Sequence, residues 1–326
     1  MNRGESMNSI LEKMQSFGII PVIQIDKVED SIPLAKALCE GGLPCAEITF
    51  RTEAAKEAIY EMSKNFPDML IGAGTVLTIE QVDSAIEAGA KFVISPGLNP
   101  KIVKYCIENN ILIIPGCSNP SDVEQAIEFG LEAVKFFPAE AAGGLKMIKA
   151  MSAPYTKMKF MPTGGINENN LNDYLSFNKI VACGGSWMVK PELVQNKSFD
   201  EIKKLTKEAV QKMLGFELMH IGINTESNDE ANGVAEIFEK LFNFKNKNNE
   251  NSILVGNKIE VMKKQFLGIK GHIAIGTNSI NRAISYLESL GCEFYQENRY
   301  YDEHGNLTSI YLKEEIGGFA IHLLQK

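Results

Sequence analysis

The sequence predicts an α/β protein in which a parallel (β/α)8 TIM barrel precedes a smaller α+β domain of two β-α-β-β-β repeats. Three observations carry this expectation. Over roughly its first 190 residues the chain repeats one unit, a short apolar run, a turn rich in Gly, Pro, Ser and Thr, and a helix-period stretch, at intervals of about two dozen residues. The segment from Glu217 onward contains a different pattern, and that pattern occurs twice. All four histidines of the chain fall in this later segment and none in the first.

Eight apolar runs define the barrel strands: 19–25, 45–50, 70–75, 92–96, 111–115, 133–137, 160–163 and 180–183. Between them lie amphipathic stretches such as 31–38 and 122–129, several ending at a glycine (Gly41, Gly89, Gly130) as helix C-termini commonly do. An open doubly wound sheet is the competing architecture, but no G-x-G-x-x-G opens the first unit.

Barrel chemistry sits at the C-terminal ends of the strands. Those ends carry Glu47 and Arg51 after the second run, Thr75 after the third, Pro96 after the fourth and Lys135 on the sixth. Two glycine pairs follow the seventh and eighth, Gly164-Gly165 and Gly184-Gly185 with Ser186. Barrels commonly hold a phosphate there, through backbone N–H groups and a helix N-terminus, and Asn167 could cap the helix after the first pair. Lys135 is set among Val134, Phe136 and Phe137, where desolvation favours the neutral amine that attacks carbonyls and forms Schiff bases. One amine, one carboxylate and one guanidinium thus converge on one mouth. Surface pairing of Arg51 with Glu53 or Glu57, and plain packing of Thr75, are the bland alternatives.

The motifs Glu47-Ile-Thr-Phe-Arg51-Thr52, Gly72-Ala-Gly-Thr75, Ser95-Pro96-Gly97, Lys135-Phe-Phe-Pro-Ala-Glu140, Pro162-Thr-Gly-Gly165 and Gly184-Gly-Ser-Trp187 resemble, in order and spacing, the KDPG (2-keto-3-deoxy-6-phosphogluconate)/4-hydroxy-2-oxoglutarate aldolase family over about residues 8–215. The resemblance implies a cofactor-free class I aldolase that yields pyruvate and glyceraldehyde 3-phosphate and assembles as a homotrimer. By the same resemblance Lys135 forms the Schiff base, Glu47 shuttles protons, and Arg51 with Thr75 holds the pyruvate carboxylate. Gly164, Gly165, Gly185 and Ser186 hold the phosphate, while Phe137 and Pro96 line the pocket. 4-Hydroxy-2-oxoglutarate and the galactonate-derived epimer remain open as substrates, as does a non-catalytic ligand-sensing barrel.

The expected domains are residues 1–196 for the barrel, 197–216 for a linker helix opened by a Ser198-Phe-Asp-Glu201 capping box, and 217–326 for the repeat module. In the module, 218–223 and 270–275 open the two halves and carry His220 and His272 at matching places. The strands 258–262 and 319–324 close them and carry Glu260 and His322. This pattern is similar to the glyoxalase/vicinal-oxygen-chelate superfamily. The resemblance implies a divalent metal on His220, Glu260, His272 and His322, or else a metal-free polar cup. His322 stands where a glyoxalase-I-like pattern has a second glutamate, which argues against that particular activity. His304, beside Gly305 in a polar turn, reads as a surface histidine.

A net charge of −8 and a pI near 5.3 argue against nucleic-acid and anionic-membrane partners. Six scattered cysteines without a C-x-x-C, and no signal-like or membrane-spanning apolar run, point to a reducing cytoplasm.

Overall fold

Short, mostly apolar runs form the inner ring of the first unit. The computed structural model describes residues 6–326, so the first five residues of the expected barrel domain lie outside the described residues. They divide into two compact units, one ending at Met213 and the other spanning Leu214–Lys326.

The first unit's strands are β1 (Ile19–Ile23), β2 (Cys45–Thr49), β3 (Leu70–Gly74), β4 (Phe92–Ile94), β5 (Leu112–Ile114), β6 (Gly116–Cys117), β7 (Ala133–Phe136), β8 (Lys159–Pro162) and β9 (Cys183–Gly185). They pair in parallel in the orders β5-β4-β3-β2-β1-β9 and β6-β7-β8. Parallel bridges from Phe160 to Ile180 and from Thr163 to Gly184 join β8 to β9 and close the ring. β2, β3 and β7 are buried along their whole length, as parallel strands covered on both faces must be.

Two strands differ from the sequence expectation. The fifth is split into β5 and β6 around Pro115, which has no N–H for the ladder; its carbonyl still accepts from Lys135 N at 2.9 Å. The eighth begins at Cys183 and runs through two glycines, where apolar patterning gives no signal. Those glycines are packing requirements: a Cβ on Gly184 would come within 2.3 Å of Thr163 Oγ1, and one on Gly185 within 1.9 Å of the Trp187 ring.

Helices follow the strands with recognisable starts. Thr78, Asn99 and Asn119 cap the helices Ile79–Glu87, Pro100–Glu108 and Pro120–Glu128 through their side chains, and the last two place proline at the first position. Gly41 is not a left-handed terminator, since its φ is −75°; a Cβ there would come within 2.6 Å of Thr206. Thr206 belongs to the helix Phe199–Leu214, whose Ile202, Ala209, Val210 and Met213 are buried and whose Lys203 pairs with Glu40 at 2.6 Å. That helix therefore packs on the first unit.

The second unit has β10 (Glu217–Ile223), β11 (Asn246–Asn248), β12 (Ser252–Val255), β13 (Ile259–Met262), β14 (Gly271–Thr277), β15 (Phe294–Tyr301), β16 (Leu307–Leu312) and β17 (Phe319–Gln325). The sheet order β11-β12-β13-β10-β14-β17-β16-β15 places the elements of the two halves in mirrored sequence, with β10 and β14 antiparallel at the centre. β13 and β17 run parallel to those central strands. The helix Asn228–Phe242 buries Ala231 and Ala235 on Ile253, Val255 and Val261. β11 occupies a stretch that reads as a polar turn; an edge strand needs no apolar face, and Asn246 instead donates from its side chain to the Ala235 carbonyl at 3.2 Å. Among the described residues, no helix is long and apolar enough to cross a membrane.

Candidate active site and candidate metal centre

Lys135 enters from β7 and Glu47 from β2, 5% and 0% exposed respectively. Lys135 Nζ lies 3.3 Å from Glu47 Oε1 and 5.3 Å from the centroid of the Phe137 ring. The other carboxylate oxygen, Oε2, is buried with no hydrogen-bond partner. An isolated charge at this depth would be strongly unfavourable, so the two groups stabilise each other, and Oε2 keeps its lone pairs free to accept a further hydrogen bond. Gly74 makes room for this pair: a Cβ there would sit 2.2 Å from Glu47 Oε1. Sequence reasoning assigned Gly74 no role, although glycine recurring at alternate positions of β3 is the signal of a close approach.

A cavity of about 190 Å³ opens at the strand C-termini. Arg51, Phe137, Gly164, Gly165, Gly185 and Ser186 line it, so six of the eight residues expected to bind substrate are brought together. Thr163, which ends the seventh run, also lines it, with Oγ1 buried and unpaired, and so does Gln24, which the sequence reading did not single out. Thr75, Pro96, Glu47 and Lys135 are not in the wall; Lys135 lies behind Phe137, a wall residue whose ring centroid is 5.3 Å from the lysine Nζ. Pro96 packs through its carbonyl onto β6, where a Cβ at Gly116 would come within 2.0 Å of it. Thr75 follows β3 in a left-handed conformation, φ +56°.

Gly164 and Gly165 have φ of +100° and +81°, turning the chain sharply at the cavity edge. Asn167 anchors this turn and does not cap the helix. Its backbone N–H donates to Asn170 Oδ1 at 2.9 Å, Asn170 Nδ2 donates to the Gly165 carbonyl at 3.0 Å, and the helix starts only at Leu171. Tyr174 donates a short hydrogen bond to Glu140, which packs beside Gly165; burial first, then this carboxylate, pushes the phenol above its ordinary range.

Comparison with known proteins decides the family. The model of the family described as "Aldolase: KDPG and KHG aldolase" matches residues 10–205. The chain belongs to the KDPG and KHG aldolase family. A 2-dehydro-3-deoxy-phosphogluconate aldolase of Haemophilus influenzae is 54% identical over 201 residues, 62% of this chain and 95% of that protein. A KHG/KDPG aldolase of Escherichia coli K12 is 43% identical over 193 residues, 59% of this chain and 91% of that protein. Among solved structures, the KDPG aldolase of Legionella pneumophila, with pyruvate captured as a covalent carbinolamine intermediate, aligns with a TM-score of 0.59 and 40% identity. That alignment covers 61% of this chain and 97% of the other.

The second unit lies outside the KDPG and KHG aldolase match and carries its own cluster. Glu260 Oε2 is 3.2 Å from both His220 Nε2 and His272 Nε2, which are 3.1 Å from each other. The ligand atoms of His220, His272 and His322 all lie within 4.8 Å of one another. Ligands at about 2.0–2.1 Å from a tetrahedral ion stand about 3.3–3.4 Å apart, so Glu260, His220 and His272, 3.1–3.2 Å from one another, have the spacing of one coordination face, with His322 beside them. Hydrogen bonds from His220 and His272 hold the Glu260 carboxyl well below the usual carboxylate range. Burial, reinforced by His272 and His220, pushes His322 down to about 3, so it is neutral and its lone pair is available. His322 Nε2 and His272 Nδ1 are buried without partners. Gly222, opposite His272 across β10 and β14, had no role in the sequence reading; a Cβ there would come within 2.1 Å of the imidazole. His304 is exposed in a turn.

Proposed function

We propose that the barrel is a class I aldolase cleaving 2-dehydro-3-deoxy-6-phosphogluconate to pyruvate and glyceraldehyde 3-phosphate. The buried Lys135–Glu47 pair, 3.3 Å apart, carries this reading. Lys135 Nζ attacks the C2 carbonyl, and loss of water leaves a protonated imine. Glu47 takes the C4 hydroxyl proton, the C3–C4 bond breaks, and its electron pair enters the imine as an enamine. Glu47 returns the proton to C3, and water releases pyruvate from Lys135. Arg51 supplies a planar fork for the substrate carboxylate, Thr75 joins it from the end of β3 in this reading, and the turns at Gly164-Gly165 and Gly185-Ser186 take the phosphate. Phe137 lines the path between them; Pro96, whose carbonyl packs on β6, has a supporting place. The relatives' printed activities support the same chemistry. Borohydride reduction with pyruvate should add one pyruvate-derived mass to Lys135, and an unmodified Lys135 peptide refutes the reading. Removing the substrate phosphate should lower turnover strongly; equal rates would favour 4-hydroxy-2-oxoglutarate instead.

Residues 1–196, 197–216 and 217–326 serve, in this proposal, as barrel, connecting helix and repeat module of a cytoplasmic homotrimer. Light scattering at micromolar concentration tests the assembly. The module holds a divalent transition ion on His220, Glu260, His272 and His322, in a vicinal-oxygen-chelate-like cup; bound there, the ion would supply Lewis acidity. Elemental analysis beside a His220→Ala/His272→Ala variant tests it, and equal metal in both proteins would refute the ligand set.

A further inference from the structure

The two halves of the second unit repeat more than their ligand positions. In the first half Glu260 pairs with Leu254 across β12 and β13, and Ser252 pairs with Met262, two residues beyond Glu260. In the second half His322 pairs with Tyr311 across β16 and β17, and Ser309 pairs with Leu324, two residues beyond His322. Ser252 and Ser309 therefore occupy the same place in their halves, as do Glu260 and His322. Both serines are buried, 4% and 8% exposed. Ser252 Oγ donates to Glu260 Oε1 at 2.6 Å, and Ser309 Oγ lies 3.1 Å from His322 Nδ1. Each contact falls on the atom turned away from the cluster: Glu260 meets the two histidines through Oε2, and His322 keeps Nε2 buried and unpaired.

We propose that Ser252 and Ser309 are a matched pair of positioning residues that aim Glu260 and His322 at one divalent ion; this rests on the metal reading above. Ser252 occupies one carboxylate oxygen and leaves the other for the ion. Ser309 holds His322 through Nδ1, so that Nε2 is the nitrogen turned toward the ion; with metal bound at Nε2, Nδ1 carries the proton and the Ser309 hydroxyl accepts it. Histidine needs a second constraint, because a single hydrogen bond leaves the ring free to swing. Tyr311 provides it, stacked on His322 at 4.5 Å between centroids and 8° between planes. The equivalent position beside Glu260 is Leu254, where a carboxylate bonded at both oxygens needs no ring to clamp it. The serine position is thus retained across two chemically different ligands, while the residue flanking each ligand changes to suit it.

The test uses the full chain stripped with chelator, with Zn²⁺ alone for affinity by competition against a chromophoric chelator and Co²⁺ alone for visible absorption. Ser252→Ala and Ser309→Ala should each weaken Zn²⁺ binding about 10–100-fold, as loss of outer-sphere partners does elsewhere. The Co²⁺ spectrum of Ser309→Ala should move toward that of His322→Ala, because an unaimed imidazole leaves the ion. Ser309→Thr, which keeps the hydroxyl, should restore both readouts; a merely structural role gives no reason for the spectra to coincide. Failure of the wild-type chain to take up a stoichiometric ion overturns the metal reading and this inference together. Wild-type uptake with unchanged affinity and spectrum in both alanine variants overturns the serine assignment alone.

Discussion

Glu47 holds its place because Gly74, which lies against its carboxylate, has no side chain. Gly74→Ala would drive a methyl to within 2.2 Å of the carboxylate. Overpacking of this kind should destabilise the chain by about 1–3 kcal/mol in urea unfolding. Displacing Glu47 by an ångström should lower kcat on the order of 10²-fold. Glu47→Gln keeps the shape but cannot accept a proton, and kcat should fall about 10²–10⁴-fold in a coupled pyruvate assay. A variant with wild-type kcat would remove Glu47 from the chemistry. The cysteines behave differently. Burial pushes the Cys106 and Cys117 thiols up to about 12, the charges of Asp83 and Asp122 adding to it. Both should therefore resist iodoacetamide at pH 8 in the folded chain while the part-exposed Cys292 reacts, which peptide mass mapping checks.

At the level of the element, helix starts are where single side chains decide most. Thr78→Ala removes the oxygen that accepts from Gln81 N at 3.2 Å and should cost about 0.5–2 kcal/mol, read as a lower urea midpoint with an unchanged slope. The same elements show what a sequence can disclose. Apolar runs such as those of β1, β2 and β7 were legible because burial on both faces demands continuous hydrophobicity. Lys135 and Glu47 were legible for the opposite reason, as charges that such strands do not otherwise tolerate. The two-glycine continuation of β9 and the asparagine-rich β11 were not, since one is shaped by a neighbour's bulk and the other by an edge that needs no apolar face. Gly74 and Gly222 belong with them: the side chain each must admit lies 27 and 50 residues away along the chain, so its absence has no local signature. Pro96 shows the converse, a motif residue whose backbone contact with β6 gives it a packing role.

Across the whole molecule the two units answer to different chemistry. The route from Lys135 uses an amine and a carboxylate and requires no ion, so exhaustive dialysis against EDTA should leave pyruvate release unchanged. A rate that fell on chelation and returned with Zn²⁺ would contradict the Schiff-base mechanism. The second unit has a different logic, which follows from its mirrored strand order. A pocket shared by two identical polypeptides must accept every substitution twice, once from each copy, so its donors stay paired in kind. Joining the halves in one chain removes that obligation, and β13 could keep an acid at Glu260 while β17 took an imidazole at His322. Covalent linkage thus lets the sheet carry an acid in one half and an imidazole in the other while the strand order stays mirrored.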